Sequence, residues 1–163
     1  MDILNLGCGN KLLSGDGVVN HDLHKHRPEI DVAHDLNMLP WPWADESFDQ
    51  IVASAVLEHL DIDLVASLNE CWRLLRPGGI LGLKLPLWSA EKAHDDPTHR
   101  WFFTVRSLDQ FCPETRRGKQ YGFYTAQKWR YVKKPVVNKA QTSFYVALEP
   151  IKGTLEAIKA EVQ

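Results

Sequence analysis

Residues 3–10 read Ile-Leu-Asn-Leu-Gly-Cys-Gly-Asn, and this stretch decides the fold of the chain. The uncharged aliphatic residues of Ile3–Leu6 predict a short buried strand. Gly7 and Gly9 then predict a sharp turn whose backbone can lie directly against a ligand. Open α/β sheets bind nucleotides where a strand ends in such a turn, although a tight turn after a buried strand would explain the same residues.

Further short apolar runs follow this stretch, and acids stand at the ends of two of them. Residues 17–22 predict strand two, which ends at Asp22. Residues 30–34 predict strand three, and Asp35 comes directly after it. Strand four is predicted over 47–54. A carboxylate at the end of strand two can accept hydrogen bonds from both ribose hydroxyls of an adenosine, and Asp35 is placed to accept one from an adenine amino group.

Several sequence blocks occur in a fixed order along residues 3–86. They are Leu-Asn-Leu-Gly-Cys-Gly-Asn, Ser-Phe-Asp, Leu-Glu-His and Leu-Arg-Pro-Gly-Gly. With these blocks the chain resembles the class I S-adenosylmethionine-dependent methyltransferases, in particular a branch of small methyltransferase domains. The resemblance implies a Rossmann-like α/β sheet, mostly parallel, with an antiparallel strand in a C-terminal hairpin.

The spacing of the strands predicts that helices are reduced on one flank of this sheet. Met1 and Asp2 lead straight into the first strand, so the helix that usually precedes it in the resembled family is missing. The segments 7–17 and 23–29 are also short, since a parallel crossover needs about a dozen residues. We expect a homodimer, because two copies that pair through the face without helices would bury its exposed apolar surface.

The resemblance implies S-adenosylmethionine as the cofactor and S-adenosylhomocysteine as its product. The expected cofactor-binding residues lie at the carboxyl ends of the first four strands: Asn5, Leu6, Gly7, Cys8, Gly9, Asn10, Asp22, Leu23, Asp35, Leu36, Asn37, Ala53, Ser54 and Ala55. Asn5 stands where relatives often carry an acid, so it can accept a hydrogen bond but brings no charge to the cofactor's ammonium group.

Composition limits the other function classes. The chain has 163 residues with a net charge of −2, which argues against a protein that coats nucleic acid. No apolar run approaches the ~18 residues of a membrane span, and no signal-peptide pattern is visible. Cys8, Cys71 and Cys112 lack metal-type spacing and cannot all pair, which favours a reducing, cytoplasmic location.

The chain is predicted to form a single domain over 1–163, with a cofactor-binding half (3–86), a lid with C-terminal strands (87–150) and a tail (151–163). Within it, a helix is predicted over 61–75, capped by Asp61 or Asp63 and ended by Pro77-Gly78-Gly79. The remaining predictions are strand five over 80–85, a short helix over 105–111 capped by Thr104, a solvated basic loop at 116–119, strands over 128–137 and 142–149, and a loose terminal helix over 151–163.

The loop 38–47 contains Trp41 and Trp43 between prolines. The prolines exclude a helix and favour an extended run. The two indoles are expected to pack on the core, although they could instead cover an adenine or contact another subunit.

Histidines supply the candidates for chemistry near the acceptor. His59 follows strand four and is the first candidate for a catalytic base, and His99 is the second. The segment 88–111 is expected to cover the methyl group, with His94, His99 and Arg100 contacting the acceptor. The polar run that contains Asp95 and Asp96 is interpreted as a hydrogen-bonded brace, so no metal site is predicted.

Three functions remain open at this stage. A methyltransferase would act by direct transfer to an unidentified acceptor, such as a small molecule, a glycan or lipid precursor, or a protein side chain. A scaffold that binds S-adenosylmethionine without catalysis would explain the missing helices and Asn5. An NAD-type protein fits less well, because Leu12 replaces a small residue and Asp22 comes too early. Nucleic acid is not favoured, since Ser54-Ala55-Val56-Leu57 replaces the Asn/Asp-Pro-Pro-aromatic block of many DNA methyltransferases.

Overall fold

A single mixed sheet organises the chain in the computed structural model, which describes residues 1–153. The sheet has seven strands in the order β3-β2-β1-β4-β5-β7-β6. The strands are β1 (Ile3–Leu6), β2 (Val18–Asp22), β3 (Val32–Ala33), β4 (Phe48–Ser54), β5 (Leu75–Pro86), β6 (Lys128–Val137) and β7 (Ser143–Ile151). The α-helices are α1 (Leu64–Leu74) and α2 (Arg116–Tyr121), and single 3₁₀ turns cover Leu57–His59, Glu91–Ala93, Asp109–Phe111 and Gly122–Tyr124.

The pairing pattern confirms the predicted sheet. β1 lies between β2 and β4 and is parallel to both, and β4 is parallel to β5. β7 enters between β5 and β6 and is antiparallel to each of them. The order of the strands reverses at β1, so a crevice opens at its carboxyl end between β2 and β4.

Helix α1 covers one face of the sheet. Asp63 caps the helix, since its Oδ1 accepts a 2.7 Å hydrogen bond from the amide of Ala66. The buried side chains of α1 belong to the same core cluster as every second residue of the central strands: Leu68, Cys71 and Leu74 with Leu4, Leu6, Ile51, Ala53, Leu81, Leu83 and Leu85. Residues that alternate with these, such as Val52 and Ile80, stay half-buried on the other face.

The helix predicted over 61–75 is shorter at both ends. It ends at Leu74, and Leu75 is already extended as the first residue of β5. Arg76 precedes Pro77, and a residue before proline is disfavoured in the helical region. The chain therefore leaves the helix before Pro77-Gly78-Gly79 rather than at it, and the strand predicted from Ile80 starts earlier.

Two local predictions downstream were wrong. Residues 105–111 form turns that close in the 3₁₀ turn Asp109–Phe111. The Thr104 hydroxyl accepts from the amide of Arg106 at 3.2 Å, as a cap would, but the backbone bonds that follow span three residues, as in a 3₁₀ turn, rather than four. The basic segment 116–119 is not a loop but the start of α2. The Thr115 hydroxyl caps that helix by accepting from the amide of Gly118 at 2.8 Å.

Strand three is shorter than the predicted run 30–34. Only Val32–Ala33 pairs with β2, in parallel register. The side chain of Asp31 accepts the amide hydrogen of Asn20 at 2.7 Å, so a carboxylate replaces a strand–strand bond at this point.

The loop 38–47 has no regular structure, as predicted, and its Trp41 is buried in the core. Trp43 packs edge-on against Phe48.

The strand predicted over 142–149 runs from Ser143 to Ile151. Apart from Ile151 and the two residues after it, the terminal helix predicted over 151–163 lies outside the described residues.

Candidate functional site

The turn after β1 has the backbone shape that its glycines suggest. Gly7 has φ +56° and Gly9 has φ +52°, both in the left-handed region. A Cβ atom on Gly7 would lie 2.6 Å from Cγ2 of Val56, so no other residue fits there without a shift. The amide of Cys8 donates to the carbonyl of His21 at 2.8 Å, which ties the turn to β2.

Asp22 closes this turn from the neighbouring strand. Its Oδ2 accepts a hydrogen bond from the amide of Gly9 at 2.6 Å, and its Oδ1 accepts one from the amide of Leu23 at 2.7 Å. The thiol of Cys8 also lies 3.9 Å from Oδ2, a long and weak contact. A carboxylate offers about four lone-pair sites, so Oδ1 keeps one for a ligand, and a ligand at Oδ2 would replace the thiol contact.

A cavity of about 240 Å³ opens between the ends of β1, β2 and β4, and we call it the glycine-turn cavity. Many of the expected cofactor residues line it: Gly7, Asp22, Leu23, Asp35, Leu36, Asn37 and Ala55. His21, His34, Val56, His59 and Leu60 complete its wall.

The other expected cofactor residues lie behind or beside this wall. Leu6, Cys8 and Ala53 are buried in the molecule, and Gly9, Asn10 and Ser54 are more accessible. Asn5 is buried, and its Nδ2 donates to Oδ1 of Asn20 and to the carbonyl of Lys11, both at 2.9 Å. The Asn5 amide group therefore braces the segment after the glycine turn.

His21 is a wall residue that the sequence analysis missed. Its side chain is buried, and its ring edge packs on Trp43 at a centroid distance of 5.4 Å. Its Nε2 lies 2.9 Å from the carbonyl of His34, and its Nδ1 accepts from the amide of Gly7 at 3.4 Å. Burial lowers the pKa of His21, which keeps the ring neutral. Its position directly before Asp22 was the only signal in the sequence.

A second cavity of about 550 Å³ adjoins the first, and we call it the histidine cavity. It is lined by Ala55, Glu58, His59, Lys84, Leu85, Pro86, Lys92, Asp95, Asp96, His99, Asn138, Thr142 and Ser143. Ala55 and His59 line both cavities, so the two spaces meet at the end of β4. Ala55 has φ +60°, an uncommon conformation for a residue with a side chain.

The two candidate base residues lie together in the histidine cavity. The ring centroids of His59 and His99 are 4.7 Å apart. Nδ1 of His59 lies 2.8 Å from the hydroxyl of Thr98, and Nδ1 of His99 lies 2.8 Å from the carbonyl of Ala93. Burial and the neighbouring His99 lower the pKa of His59, which favours its neutral form.

Glu58 is the second residue that the sequence analysis missed. It is buried, with 1% of its surface exposed, yet it lines the histidine cavity. Burial raises the pKa of its carboxyl group. Within the described part of the chain its Oε2 has no hydrogen-bond partner.

Two of the expected acceptor-binding residues lie outside the histidine cavity wall. Nε2 of His94 lies 2.7 Å from the carbonyl of Trp88, and the His94 ring stacks on Phe102. Arg100 forms an exposed ion pair with Asp61 at 2.8 Å. Only His99 of the three expected residues lines the cavity.

Known proteins resemble this chain in sequence. Residues 17–83 match a family model described as a methyltransferase domain. A Mycolicibacterium smegmatis protein described as a probable S-adenosylmethionine-dependent methyltransferase is 30% identical over 99 residues, which cover 52% of this chain and 38% of the relative. The match thus spans well under half the length of that curated relative.

Solved structures resemble the chain in fold. An S-adenosylmethionine-dependent methyltransferase from Aquifex aeolicus superposes with a TM-score of 0.61 at 15% identity, covering 91% of this chain and 81% of that one. A Haloferax volcanii methyltransferase, solved in complex with the activator Trm112, gives a TM-score of 0.62 at 12% identity with the same coverage. At such low identity these matches show the fold, which is that of class I methyltransferases.

Proposed function

We propose that the chain is a class I S-adenosylmethionine-dependent methyltransferase and that it transfers a methyl group directly to an acceptor held in the histidine cavity. One observation carries this proposal: the glycine-turn cavity and the histidine cavity meet at Ala55 and His59. A cofactor in the first cavity and an acceptor in the second would therefore approach each other at the end of β4.

The residues of the glycine-turn cavity suit S-adenosylmethionine. When bound, this cofactor supplies an electrophilic methyl carbon on a sulfonium, which leaves as the thioether of S-adenosylhomocysteine. The two carboxylate oxygens of Asp22 suit two ribose hydroxyls, and Asp35 at the cavity wall suits the adenine amino group. Gly7 offers backbone without a side chain, and the amide of Leu36 is a further donor.

The residues of the histidine cavity would position the acceptor. The acceptor's lone pair forms the new bond to carbon while the electron pair of the broken bond stays on sulfur, so the protein contributes mainly alignment. Where the acceptor carries a proton, the imidazole of His59 or of His99 can take it. The acceptor is a small molecule, a glycan or lipid precursor, or a protein side chain, with His94 and Arg100 outside the cavity wall as further contacts for a large one.

A non-catalytic scaffold that binds S-adenosylmethionine is the second candidate. It is favoured by Asn5, whose amide is engaged with Asn20 and Lys11 and which brings no negative charge for the cofactor's ammonium group. An NAD-binding protein is a third and weaker candidate.

Calorimetry and turnover separate these candidates. We expect S-adenosylmethionine and S-adenosylhomocysteine to bind and NAD not to bind, as measured by isothermal titration calorimetry. Single-turnover release of the methyl group with candidate acceptors would then distinguish an enzyme from a scaffold. Absence of heat with both sulfur compounds would overturn the proposal.

We also propose that two copies pair through the half-buried face of the sheet, where apolar side chains such as Val52 and Ile80 remain partly accessible. The Haloferax volcanii relative was solved with a protein activator, so another protein could cover this face instead. Light scattering at high micromolar concentration would show a monomer if the pairing is wrong.

We place the protein in the cytoplasm, since Cys8, Cys71 and Cys112 are free and buried. No helix among the described residues is both long and apolar enough to span a bilayer. We treat 1–163 as one domain in which 3–86 binds the cofactor and 87–150 contributes the acceptor side.

A further inference from the structure

We propose that Glu58, His59 and His99 bind a divalent transition-metal cation at the wall of the histidine cavity. One possible ligand atom from each residue lies within 4.8 Å of the others. Two imidazoles and one carboxylate form a donor set that proteins use for zinc or iron while leaving coordination positions open. Bonds of about 2.0–2.2 Å would draw these atoms closer together on binding.

The Glu58 side chain supplies the strongest observation. It is 1% exposed, and within residues 1–153 its Oε2 accepts no hydrogen bond. A buried carboxylate oxygen without a partner is costly unless the group is protonated or bound to a cation, and the only hydrogen bond to this carboxylate within residues 1–153 comes from its own backbone amide. The charged groups that act on it are His99, Lys84 and Asp96, and none of them forms an ion pair with it.

The hydrogen bonds of the two histidines leave a nitrogen free on each ring. Nδ1 of His99 can only donate to the carbonyl of Ala93, because a carbonyl oxygen accepts. The hydroxyl of Thr98 donates to Oδ1 of Asp96 at 2.6 Å, so it accepts from Nδ1 of His59. In the neutral form of each ring the lone pair therefore lies on Nε2, which is the form that a metal requires.

These outer hydrogen bonds also match the usual surroundings of metal ligands. A metal-binding histidine commonly donates its second ring N–H to a carbonyl or toward a carboxylate, which fixes the ring orientation. His99 does so through Ala93, and His59 does so through Thr98 and Asp96.

The backbone holds the ligands in place from two segments. Glu58 and His59 belong to the 3₁₀ turn after β4, whereas His99 comes from the segment that follows β5. The carbonyl of Glu58 accepts the amide hydrogen of Arg100 at 2.6 Å, which pins the second segment beside the first. The indole of Trp101 donates to the carbonyl of Leu60 at 2.8 Å and adds a second tie.

The open positions of the cation would face the histidine cavity, which all three ligands line. This assigned role rests on the proposed function. A cation there would hold an oxygen, sulfur or nitrogen atom of the acceptor near the junction at Ala55. With the cation bound, neither His59 nor His99 has a free nitrogen to act as the base. The cation would instead lower the pKa of a bound hydroxyl or thiol, so that the acceptor releases its proton to water before the methyl group arrives.

Metal binding can be measured without turnover. Protein stripped with a chelator is titrated with Zn²⁺ by calorimetry and with Co²⁺ by visible absorption, which reports the coordination geometry. We expect one equivalent to bind, and we expect Glu58→Gln and His99→Ala each to weaken binding by at least about 100-fold. Thr98→Val should weaken it by about 10–100-fold, since it removes the acceptor of the His59 N–H and its link to Asp96 but no metal ligand.

His24→Ala is the matched control, because His24 is exposed in the segment between β2 and β3. It should leave Zn²⁺ binding unchanged, and circular dichroism should show that every variant is folded. Absence of Zn²⁺ binding, or equal binding in the wild type and in His99→Ala, would overturn the inference.

S-adenosylhomocysteine is titrated into the same stripped protein. If that ligand binds and Zn²⁺ does not, only the metal site is wrong. If Zn²⁺ binds and that ligand does not, only the proposed function is wrong.

Discussion

The amide nitrogen of Gly9 lies 2.6 Å from Oδ2 of Asp22, a bond that joins the glycine turn to the end of β2. The same carboxylate also accepts from the amide of Leu23. Asp22 therefore shapes the turn while it keeps lone pairs for a ligand, which makes it the most informative position for a test of the cofactor site.

Replacing Asp22 should weaken binding of S-adenosylhomocysteine. Loss of a charged acceptor costs about 1.5–3 kcal/mol, so Asp22→Ala should lower the affinity by about 10- to 100-fold in calorimetry. Asp16→Ala is the control, since Asp16 is an exposed loop residue outside both cavities. An affinity within about threefold of the wild type would contradict the assignment of Asp22 to the ribose.

The two glycines of the turn should differ in their tolerance of alanine. Both have positive φ, so each substitution costs about 1–2 kcal/mol of stability from backbone strain. A Cβ on Gly7 would also overlap Val56, whereas a Cβ on Gly9 meets no atom within 4 Å. Gly7→Ala should therefore lose about 1–3 kcal/mol more than Gly9→Ala in urea unfolding. Addition of Val56→Ala should remove part of that difference, and equal losses in the two single variants would contradict a clash between the new Cβ and Val56.

His21 should make the protein less stable in mild acid. Its folded-state pKa lies below the ordinary value of 6.5, because the ring is buried, although the carbonyl of His34 and the charge of Asp22 oppose this effect. The unfolded chain takes up the proton first as the pH falls, so the free energy of unfolding decreases from about pH 6.5 down to the folded-state pKa.

Urea unfolding at pH 7.5, 6.5 and 5.5 measures this effect. His21→Gln cannot titrate, so its stability should fall less than that of the wild type over this range. Parallel curves for the two proteins would mean that His21 does not carry the pH dependence.

Arg73 should contribute to stability by joining α1 to the loop 38–47. Its guanidinium donates to Glu70, to Asp45 and to the carbonyls of Trp41 and Trp43 at 2.7–3.0 Å. Lysine cannot reproduce this forked geometry. Arg73→Lys should therefore cost about 1.5–3 kcal/mol in urea unfolding. Arg106→Ala, which removes an exposed pair with Asp109 at 3.5 Å, should cost less than about 1 kcal/mol.

The strand ends were predictable because local sequence determines them. Gly7 and Gly9 break a buried strand, and Asp22 and Asp35 stand at or just after the ends of the next two runs. Since the carboxyl ends of parallel strands meet at one edge of a sheet, these side chains had to converge once the strands were correct. The prediction that Gly7, Asp22 and Asp35 bind the cofactor still awaits a binding measurement.

Glu58 and His21 could not be identified because their properties arise from tertiary contacts. Nothing in Leu-Glu-His shows that the carboxylate is buried and that His99, distant along the chain, lies beside it. His21 is neutral because Trp43 and the surrounding wall bury it. The helix α2 was not predicted for a similar reason. Its Gly118 packs so closely on the carbonyl of Cys112 that a side chain would overlap it, and the sequence does not show this tertiary contact.

The uneven cover of the sheet implies a periodic response to mutation. In β4 and β5 a saturation scan should find that Ile51 and Leu83 reject polar replacements, while Val52 and Ile80 accept them in an isolated subunit. If a second polypeptide covers this face of the sheet in the cell, Val52 and Ile80 should also reject polar replacements there. The comparison of mutational tolerance in the purified protein and in its host would thus reveal the assembly without isolating it.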